Sequence, residues 1–118
     1  MKTDEAILAF SQSEKIKAGL IWLSQALEML RGLPEPERKG GERLVSALLN
    51  MVSHEIKLAG TVAANREWED ADPYIERAIA MVESGVGEEA VVHLSRALSR
   101  VTNIGQQAMM HLKEEKLL

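Results

Sequence analysis

The sequence predicts an all-α fold, an antiparallel helical bundle of three long helices and one short helix, and three observations carry that reading. Apolar residues recur at steps of three and four along most of the chain, the spacing that lines one face of a helix with 3.6 residues per turn. No stretch shows the period-two alternation, bounded by turn residues, that marks a strand. Glycine and proline gather at a few points only, and these divide the periodic stretches into four.

The first helix is expected over 4–31. Thr3 is placed to cap it, and Asp4 and Glu5 follow in the first turn, where free backbone N–H groups and the helix dipole favour negative charge. Ile16, Leu20, Leu23, Leu27 and Leu30 form its core stripe. Trp22, Ala26, Met29 and Leu33 form a second stripe beside it, with Ile21 farther round, so the apolar arc is wider than packing from one side requires. Ser11 and Glu14 have capping-box spacing and offer a break, but one continuous helix is the preferred reading. Gly32 is the expected stop, and 33–41, with Pro34, Pro36, Gly40 and Gly41, reads as a loop.

A second helix is expected over 42–68. Val45, Leu49, Val52, Ile56, Ala59 and Ala63 form its core stripe, and Leu44, Leu48, Met51, Leu58 and Val62 run parallel to it. Asp72-Pro73 reads as the start of a short third helix, 73–84, with Asp as cap and Pro at the first position, where its missing N–H costs nothing. Gly85 supplies the stop. The fourth helix, 87–115, carries Val91, Leu94, Leu98, Val101, Gly105, Ala108 and Leu112 inward. The short link between the last two makes them an antiparallel hairpin.

Within that hairpin Tyr74, Ala78, Met81, Gly85, Ala90, Leu94 and Ala97 stand at the spacings of a tetratricopeptide repeat, and residues 71–104 resemble one such unit. The resemblance implies a helical hairpin of the kind whose stacked arrays bind peptides. Arg77 stands where that pattern has leucine, and Thr102-Asn103 continue the helix where it has proline, so the segment is read as general helix-hairpin packing.

Composition bounds the function. The 118 residues make one domain, 1–118, with 46% apolar and 27% charged residues. A formal charge of −4 without a basic stripe argues against nucleic acid as a partner. The longest apolar run, Leu20–Leu23, is too short to span a bilayer, and a cytoplasmic protein without membrane association is expected. With no cysteine, disulfides, thiolate metal sites and thiol nucleophiles are excluded. The serines lack histidine and acid partners at triad positions, and no glycine loop is spaced to cradle phosphate. No enzyme activity, cofactor or metal is expected.

Glu55 is the least expected polar residue, since it falls between Met51 and Leu58 on the second stripe of helix 2. An unpaired carboxylate there would be costly to bury. It either forms an ion pair with an arginine such as Arg77, Arg96 or Arg100, or anchors a small molecule or metal with His54 or His93. His93 and His111 are eighteen residues apart on one helix, about 27 Å, which excludes a shared metal within one chain. The favoured function is a non-catalytic protein–protein interaction or structural protein acting as a homodimer, with a further protein partner as an extension. Its interface is placed at Ile21, Trp22, Met29 and Leu33, unless the short helix and the 33–41 loop cover that face internally. The alternative is a ligand-binding bundle with its polar site around Glu55.

Overall fold

A computed structural model describes residues 1–118 as four helices, α1 (Thr3–Leu30), α2 (Glu35–Val62), α3 (Arg66–Glu83) and α4 (Gly87–Glu114), with no strand. Connections of three or four residues force each helix back along its predecessor. The packing runs α1 on α2, α2 on α3, α3 on α4 and α4 on α1, so the helices form a square up-down-up-down bundle measuring 52 × 22 × 18 Å. One core of 23 apolar residues fills its axis, including Ile16, Leu20, Leu49, Ile56, Leu94 and Val101 from the expected stripes.

Helix α1 passes unbroken through Ser11–Ser13. Ser13 is buried, and its hydroxyl donates to the Phe10 carbonyl at 2.9 Å, so this serine serves packing instead of a cap. It faces α4, where a Cβ on Gly105 would lie 2.7 Å from Ser13 Oγ. The absent side chain lets α1 and α4 approach. Gly85 adopts φ +79°, and the bonds from Val86 N–H to the Met81 carbonyl and from Gly85 N–H to the Val82 carbonyl close α3 in a left-handed cap. Gly32 plays no such part, because α1 ends on a right-handed Arg31 whose N–H bonds back to the Glu28 carbonyl, and Gly32, itself not at positive φ, donates to the Met29 carbonyl.

Two expectations require correction. The 33–41 segment is not a loop: α2 begins at Glu35, not near 42. Pro34 and Pro36 stand where a helix needs no N–H, Glu35 and Glu37 meet the positive end of the dipole, and Lys39 pairs with Glu35 at 2.9 Å one turn on. Likewise α2 ends at Val62 and α3 begins at Arg66, so the bundle has four long helices in place of three long and one short. Asn65 caps α3 by accepting from Glu67 N–H at 2.9 Å.

Pro73 therefore lies inside α3. An interior proline costs about 3 kcal/mol. The added turns, however, bury Trp68, 1% exposed, together with Ala71. At about 25 cal/mol per Å² burying the indole contributes roughly 4–6 kcal/mol, reduced by about 1–3 kcal/mol because its Nε1–H is buried without a partner, and the remainder is of the size of the proline's cost. Asp72, released from capping, accepts from Ser53 Oγ at 2.8 Å and fastens α3 to α2.

Candidate interaction surface

The four helices are dressed unequally. Helix α3 exposes no large apolar side chain, and α4 exposes only Val92 and Met110. Helices α1 and α2 expose ten between them, Ile7, Leu8, Ile21, Trp22 and Met29 on the first and Leu44, Leu48, Met51, Leu58 and Val62 on the second. The cause is in the sequence. Both helices carry two adjacent apolar stripes, and a square bundle covers only the one that points to its axis.

On α1, Leu8, Lys15, Trp22 and Met29 follow at intervals of seven; on α2, Leu44, Leu48, Met51, Glu55, Leu58 and Val62 follow at steps of four and three. Each set lies along one line of its helix. Between the lines runs an open groove of about 440 Å³, with Ile16, Gly19, Trp22, Ala26, Leu48 and Met51 among the residues that line it. Trp22 is 69% exposed and Met29 75%. Gly19 meets nothing closer than a Val52 methyl, 3.8 Å from where its Cβ would be. Packing within the chain leaves room for a side chain there.

The same groove holds one cation and one anion. Lys15 Nζ lies 2.9 Å from Glu55 Oε1, and Gln12 Nε2 donates to Glu55 Oε2 at 3.1 Å and to the Glu55 carbonyl at 3.4 Å. The hydrogen bond from Lys15, followed by that from Gln12, holds the Glu55 carboxyl below its ordinary value. Glu55 is thus charged at neutral pH and satisfied by α1.

The residues singled out in the sequence divide into two groups. Ile21, Trp22, Met29 and Leu33 are all exposed. Trp22 and Met29 belong to the apolar line, Ile21 sits on the flank of α1 away from α2, and Leu33 lies in the turn after α1. The Glu55 set does not come together. Lys15 and Gln12, not an arginine, partner Glu55; His54 is exposed beside it, and the other members stand on α4. Arg100 lies 3.6 Å from Glu67, Arg96 is exposed, and Arg77 of α3 stacks over Tyr74 at 5.3 Å. His93 keeps a buried Nδ1 without a partner, while His111 lies 3.3 Å from Thr3 Oγ1. No group of three His, Asp or Glu side chains is arranged to hold a metal ion.

Sequence reasoning missed Lys15, Gln12 and Leu8 as members of this surface. The signal was the seven-residue interval from Leu8 through Lys15 to Trp22 and Met29, in which a lysine takes an apolar position opposite the one acid of the α2 stripe. No helix is long and apolar enough to cross a membrane. Comparison with protein-family models, with curated proteins and with solved structures finds no match.

Proposed function

We propose that this chain is a non-catalytic interaction or structural protein that works as a homodimer, joined through the apolar face of α1 and α2. The observation that carries the reading is the concentration of eight exposed large apolar side chains along the adjoining lines of two adjacent helices, Leu8, Trp22 and Met29 on α1 and Leu44, Leu48, Met51, Leu58 and Val62 on α2, while α3 exposes none. The face is about 30 Å long and about 20 Å wide, roughly 600 Å² in plan before side-chain relief. A standard interface takes roughly 800 Å² of accessible surface from each partner, so the area suits a stable pair. Monomeric proteins rarely leave such patches uncovered. A second copy is the favoured occupant because the face carries one cation and one anion and is nearly neutral. It offers no charge imbalance for a strongly acidic or basic partner, whereas a self-complementary patch closes under twofold symmetry.

The test is the molar mass of wild type and Trp22→Glu in solution by light scattering. Trp22 is largely exposed, so glutamate there leaves the bundle folded, as far-ultraviolet circular dichroism checks. Wild type is expected at twice the 13.1 kDa chain mass at tens of micromolar, and Trp22→Glu at the chain mass. A monomeric wild type ends the reading, as does a Trp22→Glu protein that keeps the wild-type mass.

A small apolar ligand in the groove is the second reading. It is favoured by a volume inside the range of ligand pockets, with Lys15 and Glu55 at hand to orient a polar end. Thermal-shift measurement over a metabolite and metal panel separates the two, since a specific ligand raises the melting temperature by mass action.

A further inference from the structure

Two flat faces can pair by a twofold axis lying in the plane between them, and that axis can run along the helices or across them. Helices α1 and α2 are antiparallel neighbours, and Lys15 and Glu55 sit side by side at the same height. An axis across the helices at that height sets α1 against α1 and brings Lys15 onto its own copy, and Glu55 onto its own copy. Like charges would meet twice inside an apolar interface, which opposes association. An axis along the helices, midway between α1 and α2, keeps every residue at its own height and sets α1 against α2. Lys15 then stands opposite Glu55 of the partner subunit, twice.

Resting on the dimer proposed above, we infer that the two copies pair about an axis parallel to the helices, each α1 lying across the partner's α2, with Lys15 and Glu55 forming a four-membered ring of alternating charge that selects this axis over one across the helices. Two features of the face agree. The polar pair lies within the apolar lines and not at their ends: Leu44, Leu48 and Met51 stand on one side of Glu55 and Leu58 and Val62 on the other, while Leu8 and Trp22 flank Lys15. A lone polar position inside an apolar seam is a known device for specifying one pairing, because a pairing about another axis sets it against hydrocarbon or against its own charge. At equal height Trp22 meets the Leu48–Met51 segment of the opposite helix, beside the space left by Gly19 and Ala26.

Charge exchange tests the inference. Lys15→Glu puts four carboxylates in the ring and Glu55→Lys puts four ammonium groups there, and each variant alone is expected to dimerise at least about tenfold more weakly than wild type. A one-to-one mixture restores opposite charges and is expected to form a heterodimer of wild-type affinity, read by light scattering and by native mass spectrometry. Both sites are solvent-accessible in the single chain, so the variants fold. Orientation is read with single cysteines, the chain having none of its own. Lys15→Cys mixed with Glu55→Cys is expected to form an interchain disulfide under mild oxidation, and Lys15→Cys alone is not. If wild type is dimeric and Trp22→Glu monomeric, but each charge variant dimerises as wild type does, the ring is overturned while the dimer stands. A disulfide in Lys15→Cys alone overturns the axis. A monomeric wild type removes the dimer itself.

Discussion

Protonating Glu55 takes a charged acceptor away from two side chains on another helix, Lys15 and Gln12. Its carboxyl is held below its ordinary value in the folded chain, so the unfolded chain binds the proton more readily, and the contribution of Glu55 to stability is complete above the unfolded value. That contribution is lost as the pH falls through the folded value, which lies below the ordinary glutamate range. Glu35, lowered by its hydrogen bond from Lys39, acts in the same direction. Measured in the monomeric Trp22→Glu background, Glu55→Gln is expected to cost less than about 1 kcal/mol at pH 7, and the difference should shrink as the pH falls through the acid range. A difference independent of pH would reject this account of Glu55. The sequence marked Glu55 as misplaced among apolar residues, and periodicity alone could do that. It named arginines of other helices as partners because those lie on helices that also face the core, whereas the partner's identity depends on which helix lies beside α2 and at what height.

At the scale of elements, the helices were legible wherever the apolar stripe was long, and the boundaries were not where two signals competed. Asp72-Pro73 is a strong start signal, yet burial of Trp68 five residues earlier outweighs it. Pro34, Pro36 and the paired glycines look like a loop by composition, yet proline in a first turn is compatible with helix and the Glu35–Lys39 pair supports it. The glycines inside helices give a test at this scale. Gly19→Ala meets nothing closer than 3.8 Å and is expected to stabilise the monomer by about 0.5–1 kcal/mol through helix propensity. Gly105→Ala meets Ser13 Oγ and is expected to lose stability instead, with Ser13→Ala in the same chain recovering it, because the remaining Ser13 Cβ is at a tolerable 3.4 Å. Urea unfolding of the two single variants and the Ser13→Ala/Gly105→Ala pair reads the signs. Equal gains from Gly19→Ala and Gly105→Ala would contradict the close approach of α1 and α4.

For the whole molecule the governing fact is asymmetry, a bundle polar on its α3 side and apolar on its α1–α2 side. Half of this was legible: the doubled stripes of helices 1 and 2 predict surplus apolar surface before any fold is known. The length of helix 3 is not the reason. Helix α3 is long, but it packs between α2 and α4, across the bundle from α1, and cannot reach the outer face of α1 whatever its length. That the two surplus stripes merge into one surface follows from α1 and α2 being neighbours, which periodicity does not specify.

Trp22 reports on that surface directly. The other tryptophan, Trp68, is buried in the core, so iodide, a charged quencher that stays in water, reaches Trp22 alone in the wild-type chain. Iodide quenching of wild-type fluorescence, followed from nanomolar to high micromolar protein, is the measurement that tests the account most directly. The dimer predicts that quenching by iodide falls as concentration rises, along the same curve as the molar mass. Trp22 fully quenched at concentrations where light scattering shows only dimer would place the contact on another face, and full quenching of a chain that stays at 13.1 kDa throughout would mean that this face is not joined to a second copy.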